Sequence, residues 1–158
     1  MSKIIDIGQA KDISRRLKRQ GRSIVLVGGV FDFLHIGHIK FLEKAKKEGD
    51  ALFVLLESDE SIKKLKGPKK PLNKQKERAE VLSAINYVDF VVKLNGILEN
   101  KDYDKLIKKI SPNIIATTKG DSYIFHKKRQ AKLVNAKLKL VVPRLKHIST
   151  SRILKEYE

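Results

Sequence analysis

Two histidines, His35 and His38, flank Gly37 shortly after the paired glycines Gly28 and Gly29. The apolar run Ile24, Val25, Leu26, Val27 breaks into those glycines, and Val30, Phe31 and Asp32 lead on to the imidazoles. This pattern suits a phosphate site. Glycine lets backbone approach a ligand where a Cβ would intrude, and a helix opening at the histidines sets unpaired N–H groups beside both rings. Imidazoles donate hydrogen bonds to phosphoryl oxygens. Phosphoryl and nucleotidyl transfer depend mostly on positioning and on stabilising developing charge.

Two other readings of the pair are open. One histidine could simply cap the helix or pack against it. Alternatively, both could bind zinc, but the chain has no cysteine and only His126 and His147 besides. Carboxylates would then have to complete the ligand set, so no metal site is assigned to the protein's own side chains.

The elements that position these residues alternate along the chain. Five short apolar runs have strand character: 23–27, 51–56, 88–92, 113–117 and 137–142. Near-continuous Val, Ile, Leu and Phe suit a parallel sheet covered on both faces. Between them, Ile36, Ile39, Leu42 and Ala45 form an apolar stripe opposite Lys40, Glu43, Lys44 and Lys46, with Gly49 as a stop. Further amphipathic stretches cover 78–85, 103–110 and 125–134, and a short extra helix over 9–20 packs on the outside. The expected fold is α/β, a three-layer Rossmann-like domain with a five-stranded parallel sheet and its site at the carboxyl ends of the strands. Residues 63–74, with Gly67, Pro68 and Pro71 among many lysines, read as a mobile basic loop.

The 158 residues suit one domain, 1–158, with 41% hydrophobic and 34% charged residues. No apolar stretch approaches the roughly 18 residues of a membrane span. The first residues lack a signal-peptide core, and with no cysteine the expected location is cytoplasmic. A net charge of +17 concentrates anions near the surface and raises a second hypothesis, a non-catalytic nucleic-acid-binding module. Only 6% of residues are aromatic and the basic residues are spread out, which speaks against single-strand stacking.

Residues His35 to His38 spell His-Ile-Gly-His, and here the chain resembles the HIGH-motif nucleotidyltransferase superfamily of cytidylyltransferases, adenylyltransferases and class I aminoacyl-tRNA synthetases. A synthetase is disfavoured because no Lys-Met-Ser-Lys-Ser-like segment is present. Residues 59–71, 77–82 and 87–92, with Lys119-Gly120 before Tyr123, look like the adenylyltransferase domain of bifunctional ADP-heptose synthases. Residues 144–154 resemble the C-terminal signature of glycerol-3-phosphate cytidylyltransferases. Three departures mark this chain. It has Gly28-Gly29-Val30-Phe31-Asp32 for Asn-Gly-Cys-Phe-Asp, Glu57-Ser58-Asp59 for Asn-Ser-Asp, and Lys119-Gly120-Asp121-Ser122-Tyr123, with one glycine fewer, for Lys-Gly-Gly-Asp-Tyr.

The resemblance implies transfer of a nucleoside monophosphate from an NTP, ATP favoured, to a small sugar or polyol phosphate, releasing pyrophosphate. The alternatives of like chemistry are CTP with glycerol 3-phosphate or a related alcohol phosphate, and an FAD- or coenzyme-A-type adenylyltransferase. On this reading His35 and His38 hold the α- and β-phosphates, Lys64 and Lys66 close over them, and Arg78 meets a phosphate with its planar fork. The nucleotide contacts are Gly28, Gly29, Val30, Phe31, Asp32, Gly37, His38, Lys119, Gly120, Asp121, Arg144, Ile148, Ser149, Thr150 and Ser151. Mg²⁺ accompanies the nucleotide with few protein ligands, and the resemblance implies a homodimer.

Overall fold

The computed structural model describes residues 2–143 and 149–156. Arg144 and Ile148, expected among the nucleotide contacts, lie outside the described residues.

The central strand run explains the sheet. In β3 (Ala51–Leu56) every residue is buried. Ala51, Phe53 and Leu55 point into one apolar layer and Leu52, Val54 and Leu56 into the other. A strand with two covered faces needs apolar residues at both phases of its period of two, hence the unbroken run. Burying each large side chain contributes about 1.5–3 kcal/mol.

Six strands, all parallel, are ordered β1-β4-β3-β2-β5-β6, where β1 is Ile4–Ile5, β2 Ile24–Gly29, β4 Phe90–Lys93, β5 Ile114–Lys119 and β6 Lys137–Pro143. The five expected strands are present with shifted ends. The sixth, β1, is a two-residue edge strand paired to Val91 and Val92, too short to give a periodic signal.

Helices α1 (Ile7–Arg19) and α5 (Asn100–Ile110) pack on one face and α2 (Ile36–Lys46) and α4 (Gln75–Ser83) on the other, completing three layers. The leading helix is no mere outer addition: Ala10, Ile13 and Leu17 join the core beneath α5. Its start is fixed by a capping box, Asp6 accepting from Gln9 N–H and Gln9 from Asp6 N–H. Helix α6 (Ile124–Leu133) bridges β5 to β6, and α7 (Thr150–Lys155) closes the described chain.

The basic stretch differs from its sequence reading. Residues 63–66 are not loop but the last turn of α3 (Asp59–Lys66), capped by Ser58, and regular structure stops only at Gly67, whose φ is 95°. The acidic first turn, Asp59 and Glu60, and the basic last turn complement the helix dipole, which favours helix over a merely charged loop.

Strand order places the site. From β2 the chain runs outward through β3, then returns to β5 on the other side. Pairing of β2 with β3 continues to Gly29↔Leu56, but pairing with β5 is confined to Val25↔Ile114 and Leu26↔Ile115. The two strands therefore part at their carboxyl ends, the reversal point where open α/β sheets bind ligands.

Candidate active site

A cavity of about 600 Å³ fills that cleft, walled by the ends of β2 and β5, the first turn of α2, α6 and, at the start of α7, Ser149 and Ser151.

Its first wall is the turn out of β2. Phe31 is buried with φ 48°, a left-handed conformation uncommon outside glycine, and it bends the chain toward α2. A Cβ on Gly29 would stand 2.9 Å from the Phe31 ring, whereas one on Gly28 would meet nothing nearer than 3.7 Å. Gly29 is thus required by the neighbouring aromatic ring, a correction to the reading that both glycines make way for a ligand.

Asp32 pins this turn. Its two carboxylate oxygens accept the N–H groups of Leu72 and Asn73, both at 2.8 Å, and its carbonyl accepts from Asn73 Nδ2.

At the mouth of α2 the two histidines form a capping box normally built from Ser or Thr and Glu. His35 Nδ1 accepts the Gly37 N–H at 3.0 Å, and His38 Nδ1 accepts the His35 N–H at 3.2 Å. The rings lie 4.0 Å apart between centroids. Burial lowers the His35 pKa. Burial, reinforced by His35 and Lys66, lowers that of His38 to about 4. Neutral rings whose Nδ1 atoms accept carry their proton on Nε2, so each offers one N–H donor.

Of the expected cations, Lys66 lines the cavity and Lys64 does not; Lys64 projects from α3 into solvent. Lys40 and Lys70 line it as well, without an acidic partner among the described residues.

Arg78 is the largest correction. It is 1% exposed and its donors are committed to protein oxygens: Nε to Asn73 O, Nη1 to Val30 O, and Nη2 to Glu57 O and the Asp59 carboxylate at 2.7 Å. Rather than meeting a phosphate, the guanidinium ties together the turn after β2, the end of β3, the start of α3 and the entry to α4. Its planar fork serves this role because it satisfies several fixed carbonyls at once.

The opposite wall comes from β5 and α6. Asp121 accepts from the Thr117 hydroxyl at 2.5 Å, from Lys127 Nζ and from the Tyr123 N–H. Burial pushes its pKa up, but these donors outweigh it and the net shift is downward. Lys119 and Gly120 are exposed and outside the cavity lining, with Gly120 turning at φ 83°. Thr117, Thr118 and Lys127 escaped the sequence reading. The strand-end rule could have flagged the threonines; Lys127 required the fold of α6 against β5.

On the remaining side Ser149 caps α7, its hydroxyl accepting the Arg152 N–H at 3.1 Å, and Ser149 and Ser151 line the cavity. Thr150 opens that helix.

The cavity therefore presents imidazole N–H groups, unpaired lysines and hydroxyls, a donor set for phosphate oxygens. Among the described residues no group of three or more His, Cys, Asp or Glu could hold a metal. Nor is any described helix long and apolar enough to cross a membrane.

Comparison with known proteins agrees with this geometry. The family model described as cytidylyltransferase-like matches residues 26–156. Proteins called bifunctional protein HldE are similar. That of Nitratiruptor is 42% identical over 120 residues, covering 76% of this chain and 25% of the relative. That of Campylobacter fetus is 45% identical over 108 residues, covering 68% and 22%. The chain thus spans about a quarter of the length of these relatives. Among solved structures, the lipopolysaccharide core biosynthesis protein from Thermoplasma volcanium aligns with a TM-score of 0.62 and 28% identity, covering 78% of this chain and 98% of that one. Pantoate-beta-alanine ligase from Francisella tularensis aligns with a TM-score of 0.69 at 18% identity, covering 98% and 76%, a likeness of fold.

Proposed function

We propose, for a chain that belongs to the cytidylyltransferase-like family and is a nucleotidyltransferase, that it transfers AMP from ATP to a small sugar or polyol phosphate. The observation that carries the reading is the double-histidine capping box, which turns two Nε2–H donors and the α2 N-terminus toward one cleft. Support for ATP and a sugar phosphate comes from the HldE relatives and from the sequence resemblance to ADP-heptose synthases.

An acceptor phosphate oxygen attacks the α-phosphorus in line, the bond from Pα to the bridging oxygen breaks, and pyrophosphate leaves with that oxygen. No protein nucleophile takes part. His35 and His38 stabilise the charge growing on the α- and β-phosphates. Lys66 and Lys70 neutralise non-bridging oxygens, and Ser149 and Ser151 offer polar groups to the departing pyrophosphate. Mg²⁺ enters as the metal–triphosphate substrate. In keeping with that, the two cavity carboxylates are already occupied, Asp32 by backbone N–H groups and Asp121 by Lys127 and Thr117.

Ser149 and Ser151 in the cavity wall favour a second reading, a CTP-dependent transfer to glycerol 3-phosphate, because they belong to the cytidylyltransferase-like C-terminal signature. A homodimer remains part of the proposal by family resemblance. The test is pyrophosphate release with each of the four NTPs and a panel of sugar, polyol and alcohol phosphates. ATP with a sugar phosphate supports the first reading and CTP with glycerol 3-phosphate the second. No release and no NTP binding would overturn both and leave nucleic-acid binding, which weakens steeply with salt.

A further inference from the structure

At the opposite end of the sheet from the nucleotide cleft, where β3 and β4 begin, lies a second cavity of about 480 Å³. That size falls within the range of small-molecule sites, roughly 300–1,000 Å³. Lys3, Arg16, Gln20 and Arg22 supply donors to its wall, Phe90 part of its apolar lining and Asp89 a carboxylate. Transfer at the carboxyl ends of the strands uses none of these residues.

Separate segments bring the cations together, and backbone hydrogen bonds fix them. The Lys3 carbonyl accepts the Val91 N–H at 2.8 Å, which seats Lys3 against the start of β4. Helix α1 ends in a Schellman turn: the Arg22 N–H donates to Leu17 O and the Gly21 N–H to Lys18 O, both at 2.9 Å, with Gly21 at φ 70°. This turn folds Arg22 back against the helix end, so that it shares a cavity with Arg16. The helix dipole accounts for Arg16 in the last turn of α1, but not for Arg22 beyond the helix or Lys3 before β1. No carboxylate among the described residues forms an ion pair with any of the three. Asp89 Oδ2 is taken by Lys46 Nζ at 2.6 Å and the Leu52 N–H at 2.7 Å. Asp50, near Arg22, accepts from the Ser23 N–H and hydroxyl. Lys3 Nζ reaches the Ile85 carbonyl at 3.4 Å.

We propose that this cavity is a second anion site, built for an oligophosphate, either free or borne by a nucleoside. A singly charged ligand would leave two of the three cations unmatched, whereas a chain of phosphates offers oxygens to each. Guanidinium forks match pairs of phosphate oxygens, and the Gln20 amide adds a neutral donor. The site shares no residue with the nucleotide cleft and does not depend on the nucleotidyl-transfer reading.

The test is a titration with tripolyphosphate, followed by backbone amide chemical shifts, at about 0.15 M salt, where a Debye length of about 8 Å screens diffuse attraction. The amides of Gly21, Arg22 and Phe90 should shift together with one Kd, apart from any set around Gly37 and His38, and orthophosphate should bind more weakly. Arg16→Gln with Arg22→Gln should raise that Kd by about tenfold or more, because charge-assisted bonds are the strong ones. The shifts around Gly37 should stay as in the wild type. Arg15→Gln with Arg19→Gln makes the same charge change at exposed positions of α1 outside the cavity and should leave the Kd nearly unchanged. Lys3→Gln, on a different segment, should weaken binding several-fold and decides the matter should the arginine variant not fold. ATP shifting the same amides at lower concentration than tripolyphosphate assigns the site to a nucleotide, and the reverse order to a free oligophosphate; either supports it. The proposal is overturned by a wild type whose amides here do not respond, or by an Arg16 and Arg22 variant that keeps the wild-type Kd. Equal losses in the two double variants would also overturn it, leaving only the diffuse charge of α1. A single-stranded oligonucleotide that shifts these amides where tripolyphosphate does not would replace it with nucleic-acid contact.

Discussion

His38 Nδ1 accepts the backbone N–H of His35, while His35 Nδ1 accepts that of Gly37, so each imidazole is oriented by the first turn of the helix it opens. The pair is held by these backbone hydrogen bonds, with the Phe31 ring centred 5.6 Å from that of His38, which fixes both Nε2–H groups before any ligand arrives. Such preorganised donors need no rearrangement as charge develops.

Removing either ring should cost much of the rate. His38→Ala is expected to lower kcat by about 10²- to 10³-fold, the usual loss for one preorganised donor. His38→Asn, whose amide oxygen can replace Nδ1 in the capping box, should retain the fold and still lack the Nε2–H. Steady-state pyrophosphate release on both variants checks this; an Asn variant with wild-type kcat would show that the ring only caps the helix.

Acid should weaken the free protein through His38. Its folded pKa, about 4, lies below the ordinary value of 6.5, so the unfolded chain binds more protons between the two. The contribution is fully present above pH 6.5 and is lost as the pH falls toward 4. Tm measured across this window should drop more for the wild type than for His38→Asn, and bound ATP, whose negative charge favours the imidazolium, should reduce the difference.

Arg78→Met should act on stability first. The change removes the donors for Asn73 O, Val30 O and Glu57 O and leaves the Asp59 carboxylate without its cation. Leaving a buried acceptor without a donor costs about 1–3 kcal/mol, while Asp59, 31% exposed, regains water and keeps the Gln75 N–H. Urea unfolding should show that loss, and Arg78→Lys should recover little of it because an ammonium cannot span the same carbonyls. A wild-type midpoint with abolished ATP binding would restore the arginine to the site.

Gly29→Ala should destabilise by about 1–3 kcal/mol through overpacking against Phe31. Gly28→Ala should be milder, its new methyl meeting Leu55 at ordinary contact distance. Equal effects on Tm would contradict the assignment of Gly29 to the aromatic ring.

Lys66→Ala should raise the Kd for ATP several-fold and Lys64→Ala should leave it unchanged, because of these two lysines Lys66 lines the cleft and Lys64 does not. Equilibrium dialysis at two salt concentrations distinguishes a direct phosphate contact, with its steeper salt dependence, from a general charge effect.

The sequence by itself determined the layered α/β fold and the histidine site. Unbroken apolar runs need a sheet covered on both sides, the stripe Ile39, Leu42 and Ala45 needs a helix, and a strand-Gly-Gly-helix passage with two histidines at its end is local in the chain. Asp121 was reached only through the resemblance of residues 119–123 to the Lys-Gly-Gly-Asp-Tyr of ADP-heptose synthases. Only the tertiary structure decided which charged residues face the ligand. Arg78 and the lysines carry the same charge in sequence, but burial depends on what crosses above each one. The turn after β2, the end of β3 and the starts of α3 and α4 converge on Arg78 and leave its donors no ligand to reach, while Lys66 stays beside the cleft. Likewise Gly29 looked like room for a phosphate until Phe31, folded back at a left-handed φ, was found in that space. Backbone patterning is written in near neighbours; the partner of a long polar side chain is set by residues distant in sequence, and the chain must fold before it has one.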